Sequence, residues 1–263
     1  MPVINNLDKR FRDRIHFSPS GPLTFEDLDS ILGKMAHAIP FENVRIIEKR
    51  SQEMSEENII DKVLVRKEGG LCYELNSLLY LFLKENHFEA SLIQGIVYDT
   101  ARGEFGKMGR THVAILVQHE NQLYIVDGGF GGNLPMKPVP LSGETVSSSN
   151  GEFRISEGHT AHGHYQLEMK LKHKDTDWRI GYAFDIEETI SDVSRLNGVR
   201  ITVEEHAESL FNKHPLLTKR TDGGSVTLTD KSFTRWEAGK VTKEEIDSER
   251  YNELLNIWFP LSN

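Results

Sequence analysis

Cysteine is almost absent from this 263-residue chain: Cys72 is the only one. No intrachain disulfide can form, and no multi-cysteine zinc or iron–sulfur site can be built. Basic residues are in deficit. Lys plus Arg number 31 against 40 Asp plus Glu, a net charge of −9, and the isoelectric point is near 5.7. That balance argues against a general nucleic-acid binder, while leaving room for a local basic pocket for a phosphorylated ligand. Long apolar runs are missing too. The longest uncharged apolar stretch, Leu75–Leu83, has nine residues, far short of the ~20 that a membrane helix needs. The start, Met1–Arg10, shows no basic flank followed by an apolar stretch, so no signal peptide is expected. Internal repeats and low-complexity tracts are absent, and no feature sets an oligomeric state. What is there is 38% hydrophobic and 27% charged, enough for a packed core in one or two domains. A soluble cytoplasmic protein with neither nucleic-acid nor membrane partners is the expectation.

The first ninety residues read as helices. Thr24-Phe25-Glu26-Asp27 has the form of a capping box with Thr24 as N-cap, and Leu28, Ile31, Leu32, Met35 and Ala36 follow at helical spacing. A second helix is expected from Ser55. A third starts near Cys72, where Leu75, Leu78, Leu79, Phe82 and Leu83 recur at three and four. From about residue 90 the rhythm becomes that of strands. Ala90–Tyr98, His112–Gln118, Gln122–Asp127, Tyr165–His173 and Trp178–Phe184 are short and rich in apolar and β-branched residues, separated by turn formers. That density of strands predicts a small barrel or sandwich. In the tail, Leu216–Arg220 and Ser225–Leu228 flank Thr221-Asp222-Gly223-Gly224 as a hairpin. Thr242-Lys243-Glu244-Glu245 has the form of a second capping box, opening a helix through Trp258.

A lone cysteine is ordinarily a small buried hydrophobe. Cys72, however, follows Gly69-Gly70-Leu71 and precedes a strongly periodic helix. It is therefore placed in the first turn of that helix, where unpaired N–H groups and the dipole favour a negative sulfur. A thiolate nucleophile wants a base, and the base an orienting group. Among eleven histidines, His112 opens a strand whose successor ends in Asp127. A turn centred between His119 and Glu120 sets His112 directly opposite Asp127, and a turn one residue later leaves them diagonal neighbours. Gly128-Gly129-Phe130-Gly131-Gly132 matches no phosphate-binding fingerprint, but its place after Asp127 makes it a pocket wall. His159, His162 and His164 fit no zinc spacing, so no metal is expected.

These residues carry a resemblance. His37-Ala38-Ile39-Pro40-Phe41-Glu42-Asn43, Arg66–Asn76 around Gly69-Gly70-Leu71-Cys72, Arg110-Thr111-His112-Val113 and Tyr124–Gly131 around Val126-Asp127 resemble four segments of the arylamine N-acetyltransferases, in the same order. The likeness is strong over residues 7–135 and weak beyond. It implies an α+β fold of three parts with a cysteine-protease-like Cys-His-Asp core: a helical bundle (1–89), a β-barrel (90–190) and an α/β lid (191–263). It implies acetyl-CoA as co-substrate and small aromatic amines or hydrazines as acceptors. By position, Cys72 is the acetyl-accepting nucleophile, His112 the base and acid, and Asp127 the orienter. Phe41, Val97 and Phe130 match positions lining the acceptor pocket, and Gly109 a place where the cofactor passes the backbone.

The chain also departs from the family pattern. Where the family usually has arginine directly before the two glycines, this chain has Glu68, with Arg66 two positions earlier. A carboxylate beside the sulfur opposes ionisation, so Glu68 is expected to point away or to pair with Arg66. On the triad alone two other readings stay open: a cysteine hydrolase or amide-forming acyltransferase using another acyl donor, and a binding protein with an inactive site.

Overall fold

The computed structural model describes residues 6–19 and 21–260; Met1–Asn5, the head of the segment read above for a leader, lie outside the described residues. Helices come first: Leu7–Arg14 (α1), Asp27–Ala38 (α2), Val44–Ile47 (α3), Glu56–Ile60 (α4) and Cys72–Glu85 (α5). A two-residue strand, Phe41–Glu42 (β1), lies between α2 and α3, and a π-helical turn, Asp61–Val65, continues α4. α5 is the central helix. Leu75, Leu78, Leu79, Phe82 and Leu83 are all buried, and full burial of such side chains contributes roughly 1.5–3 kcal/mol each. They join Phe11, Leu28, Ile31, Leu32 and Met35 of α1 and α2 in one apolar cluster.

Nine antiparallel strands follow in one sheet: Glu89–Asp99 (β2), Glu104–Phe105 (β3), His112–His119 (β4), Gln122–Val126 (β5), Val139–Pro140 (β6), Val146–Ser147 (β7), Gly151–Thr160 (β8), Gly163–Leu171 (β9) and Arg179–Ile190 (β10). The spatial order is β6-β5-β4-β2-β10-β9-β8-β7, with β3 paired to β2. β6 packs against β8, so the ends of the sheet approach and the barrel nearly closes. β2 and β4 are buried on both faces. Ile93, Ala114 and Leu116 point into the barrel, while Leu92, Val113, Ile115 and Val117 face the helices and α5. The last part holds Asn197–Glu205 (α6), four strands, Leu216–Thr221 (β11), Gly224–Thr229 (β12), Ser232–Glu237 (β13) and Lys240–Glu245 (β14), and Ser248–Trp258 (α7). Its sheet takes in β1 from the helical part, with Phe41 opposite Thr218. The fold is α+β: helical bundle, barrel and α/β lid.

Three expectations need correction. α2 begins at Asp27 rather than just after Thr24. The Asp27 carboxylate does accept the Thr24 N–H at 2.9 Å, but Phe25 and Glu26 form a separate turn before the helix, and Glu26 is its N-cap. Thr242–Glu245 opens no helix. These residues are β14, paired with β13 through Ala238-Gly239, both at positive φ, and the helix starts later behind an Asp247 cap. Hairpin pairing overrides the local capping pattern there. β8, Gly151–Thr160, is absent from the strands expected above. Only Phe153 and Ile155 of its residues are buried apolar side chains, which is the signature of a strand with one face in the barrel rather than of an apolar run.

Candidate active site

The approach to α5 is dictated by glycine. A Cβ on Gly69 would stand 2.1 Å from the Pro40 carbonyl oxygen, so only a residue without one lets this loop pass beneath the Ile-Pro-Phe segment. Leu71 is extended, and the helix begins at Cys72. Glu74, in the same first turn, accepts the Leu71 N–H at 3.0 Å. Cys72 thus occupies the first helical position, where backbone N–H groups lack intrahelical acceptors. It is partly buried, with Sγ 3.6 Å from the Thr111 carbonyl oxygen.

β4 and β5 bring the imidazole and the carboxylate. Their turn is one residue later than the symmetric reading. Glu120 and Asn121 both take left-handed φ values, 46° and 62°, as a two-residue hairpin turn requires, and His119 pairs with Gln122 and Ile115 with Val126. Extending that register puts position 129 opposite His112, so Asp127 is its diagonal neighbour rather than its direct partner. The contact still closes: His112 Nε2 lies 2.8 Å from Asp127 Oδ2. Both residues are buried, Asp127 completely.

Nearly every polar atom of the carboxylate is engaged. Oδ1 accepts Asn76 Nδ2 and the Gly129 N–H, each at 2.9 Å, and Oδ2 also accepts the Tyr182 hydroxyl at 3.2 Å. Asn76 stands one turn beyond Cys72 on α5, donates to the Val113 carbonyl at 2.7 Å and accepts the Gly128 N–H at 2.8 Å. One amide therefore ties the nucleophile's helix to both strands of the hairpin. Gly129 is held to glycine by proximity, because a Cβ there would come within 2.8 Å of Cys72 Cα.

The electrostatics follow from burial and pairing. Desolvation opposes a charged imidazole, but the Asp127 charge and hydrogen bond, followed by those of Cys72, outweigh it and push His112 up to about 10. Asp127 moves the other way. Burial would raise it, yet His112, Asn76 and the Gly129 N–H hold its carboxyl below the ordinary range. With Nε2 committed to Asp127, Nδ1 is the ring atom left for the sulfur.

Cys72 and His112 open onto a cleft of about 660 Å³. Phe41, Val97, Gly109 and Phe130 all line it, as do Phe211 and Thr218 from the lid side. Phe130 lies 4.7 Å from the His112 ring, and Phe41 meets Phe211 edge to face at 5.8 Å. Gly109 has φ +72° and open space where a Cβ would be. Glu68 does not pair with Arg66, the one partner expected for it. Arg66 binds Asp61 at 2.6 Å, whereas Glu68 takes Arg45 at 2.6 Å and Arg50 at 3.3 Å, cations from around α3 that hold its carboxyl ionised. Of the histidine trio, His164 brings its ligand atom within 4.8 Å of those of Asp185 and Glu187 at the surface, where Arg110 already binds Asp185.

Three residues of this neighbourhood went unread in the sequence. Asn76 had a signal, being a polar residue on the buried stripe of α5. Lys62 and Tyr182 had none, since a lysine in a helical run and a tyrosine in a strand are ordinary.

Comparison with known proteins gives concordant results. An N-acetyltransferase family model matches residues 24–262. An uncharacterized acetyltransferase of Bacillus subtilis, YvcN, is 39% identical over 238 residues, 90% of this chain and 91% of its own. The arylamine N-acetyltransferase / N-hydroxyarylamine O-acetyltransferase of Salmonella typhimurium is 31% identical over 88% of this chain and 79% of its own. The crystal structure of an arylamine N-acetyltransferase from Bacillus cereus, described as having a unique Cys-His-Glu catalytic triad, superposes with a TM-score of 0.92 at 40% identity, covering 99% of this chain and 100% of that one. In the present chain the carboxylate on the imidazole is an aspartate. The match to the family model and these relatives together place this chain in the arylamine N-acetyltransferase family.

Proposed function

We propose that the protein transfers an acetyl group from acetyl-CoA to the nitrogen of small aromatic amines and hydrazines, in two half-reactions through an acetyl-Cys72 intermediate. The observation that carries this reading is one cleft lined by both Cys72 and His112, with His112 Nε2 anchored 2.8 Å from a fully buried Asp127. In the first half-reaction the Cys72 sulfur attacks the thioester carbonyl carbon. N–H groups of the first turn of α5 face the developing oxyanion, the C–S bond to CoA breaks, and the departing sulfur takes a proton from His112. One thioester replaces another, so the step is nearly balanced in energy. In the second, the amine attacks the acetyl carbon, His112 removes its proton, and Cys72 leaves as thiolate. Asp127 fixes the ring orientation and keeps the imidazolium favourable.

Phe41, Val97 and Phe130 give the acceptor a flat apolar surface suited to an aryl ring. The open backbone at Gly109 gives the donor a path along the barrel rim. Residues 1–89, 90–190 and 191–263 then divide the labour as nucleophile bundle, base-bearing barrel and lid. No described helix is long and apolar enough to cross a membrane, and a reduced Cys72 suits a cytoplasmic setting. Intact-mass spectrometry after mixing with acetyl-CoA and no amine tests the reading. One acetyl on Cys72, discharged by an arylamine, is expected. Amine-independent release of CoA would instead make the protein a hydrolase.

A further inference from the structure

Behind the first turn of α5 lies a buried ionic cluster that takes no part in the reaction above. Lys62, from the π-helical turn, is 4% exposed. Its Nζ lies 2.6 Å from Glu74 Oε1 and 3.6 Å from Glu42 Oε1. The other oxygen of Glu74 accepts the N–H of Leu71, the residue before Cys72. The other oxygen of Glu42 accepts the Val44 N–H at 2.5 Å, and Glu42 Oε1 has no hydrogen-bond partner among the described residues. A Cβ at Gly70 would come within 2.8 Å of Glu74 Oε2, so a side chain there would have to displace this carboxylate. One buried carboxylate, Glu42, and one partly buried carboxylate, Glu74, thus share one buried ammonium, and unpaired charges in such a place are strongly unfavourable.

The electrostatic consequence falls on the sulfur. Six covalent bonds join Leu71 N to Cys72 Sγ, so the Glu74 carboxylate is held within roughly 10 Å of it. At that distance and an effective dielectric near 20, an uncompensated negative charge works against a thiolate by about one pH unit. Glu74 and the thiolate also compete for the same positive end of the helix. We propose that Lys62 is a positioning residue for the nucleophile: it neutralises Glu74, so that this carboxylate can brace the start of α5 without making the Cys72 sulfur harder to ionise. The inference rests on Cys72 being the nucleophile. The cation comes from position 62, whereas position 68, where the resemblance leads one to expect arginine, holds a carboxylate already engaged by Arg45 and Arg50. The charged groups facing Lys62 are Glu74 on α5, Glu42 on β1 and Arg45 on α3. The titratable groups facing Cys72 are His112 on β4 and the neutral Tyr182 on β10 and Tyr73 beside it, and Tyr73 in turn faces Glu74 of α5 and Arg200 and Glu204 of α6.

Cys72 is the only cysteine, so alkylation by iodoacetamide reports its ionisation without any acetyl transfer. The rate is measured against pH for the full chain. Lys62→Met is expected to raise the midpoint by about one pH unit, seen as about tenfold slower labelling below both midpoints. Lys62→Arg is expected to stay near the wild type, and Lys62→Met/Glu74→Gln to return to it. An unmoved midpoint in Lys62→Met, or a double variant displaced as far as the single one, overturns the proposal, the second by marking a merely structural role. If Lys62→Met does not fold, Glu74→Gln with the lysine in place decides: an unchanged or lower midpoint supports the proposal and a higher one sinks it. Failure of the wild type to form acetyl-Cys72 would strike the reaction reading alone, because the alkylation profile needs no donor.

Discussion

The barrel rim around Asp127 and the outer edge of the lid are built on opposite principles. Around Asp127, His112, Asn76, Tyr182 and the Gly129 backbone N–H enclose a carboxylate with no exposure to solvent. At the lid's edge, β14 is exposed along its whole length, and its charges pair at the surface: Arg250 with Glu244 and Glu253, each at 2.8 Å, and Arg235 with Glu237 at 2.7 Å. Buried, fully partnered polar groups cannot relax when one is removed, whereas exposed pairs exchange partners with water. The first region can therefore hold a reactive geometry and the second cannot. The lid's contribution is confined to its inner face, where Phe211 and Thr218 wall the cleft.

Substitutions at the rim should break function outright. Cys72→Ser is expected to abolish acetyl-enzyme formation and to lower acetyl transfer by about 10⁴-fold or more, the scale seen when a nucleophile is removed from a triad; intact mass and a CoA-release assay read both. Asp127→Asn comes next, with kcat/KM falling by roughly 10²–10⁴-fold. It also carries a signature in pH. His112 is raised in the folded chain, so the fold keeps a proton that the unfolded chain releases near 6.5. The stabilisation is fully present below that pH and is lost as pH climbs through about 10. Denaturant titrations at pH 6 and pH 10 should therefore differ more for the wild type than for Asp127→Asn. Equal differences would show that the pair is not coupled as drawn.

The same contrast explains what could be read from the sequence. The rim was legible because its information is local: Gly69-Gly70 before Cys72, an apolar stripe after it, and a short hairpin carrying His112 and Asp127. Even an error of one residue in the turn left the two side chains as diagonal neighbours. Asn76 closed the Arg66–Asn76 segment of the resemblance, but within a stripe that reads as core nothing marked its role. The lid was legible as a hairpin at Asp222-Gly223 and illegible at β14, where Thr242–Glu245 satisfies a helix-start pattern, yet pairing with Ser232–Glu237 decides the outcome. β8 failed for the same reason. Its alternation carries meaning only once β9 lies beside it. The partners of Glu68 were out of reach as well, because Arg45 and Arg50 arrive from around α3 rather than from its own loop.

Between the two regimes stands Asn43, the end of the Ile-Pro-Phe-Glu-Asn segment and the inner hinge of the lid. It is 1% exposed. Its Nδ2 donates to the Phe211 and His214 carbonyl oxygens, both at 2.8 Å, and its Oδ1 accepts the Leu216 N–H at 2.7 Å. All three bonds reach the segment that carries Phe211 against Phe41. Asn43→Ala leaves two carbonyls and one N–H, all at partly buried contacts, without this partner, so it is expected to destabilise by about 1–3 kcal/mol. Acetylation of Cys72 should continue, while KM for bulky aromatic amines rises several-fold. A loss confined to the first half-reaction would move Asn43 from the acceptor wall to the nucleophile.

The smallest effect is expected at the outer edge, and there the comparison is most easily broken. Arg250→Ala removes both surface pairs of the α7 start but leaves the Asp247 cap on the Arg250 N–H, at 2.9 Å, untouched, since that bond is to the backbone. The helix should form as before. Glu244 and Glu253 return to water with no desolvation to reverse, so melting temperature, acetyl-enzyme formation and acceptor KM should all match the wild type. A change in KM would require the exposed face of α7 to act on the cleft through the Leu254 and Phe259 cluster beneath it. The lid would then be a mechanical part of the site rather than a wall with an indifferent outer surface.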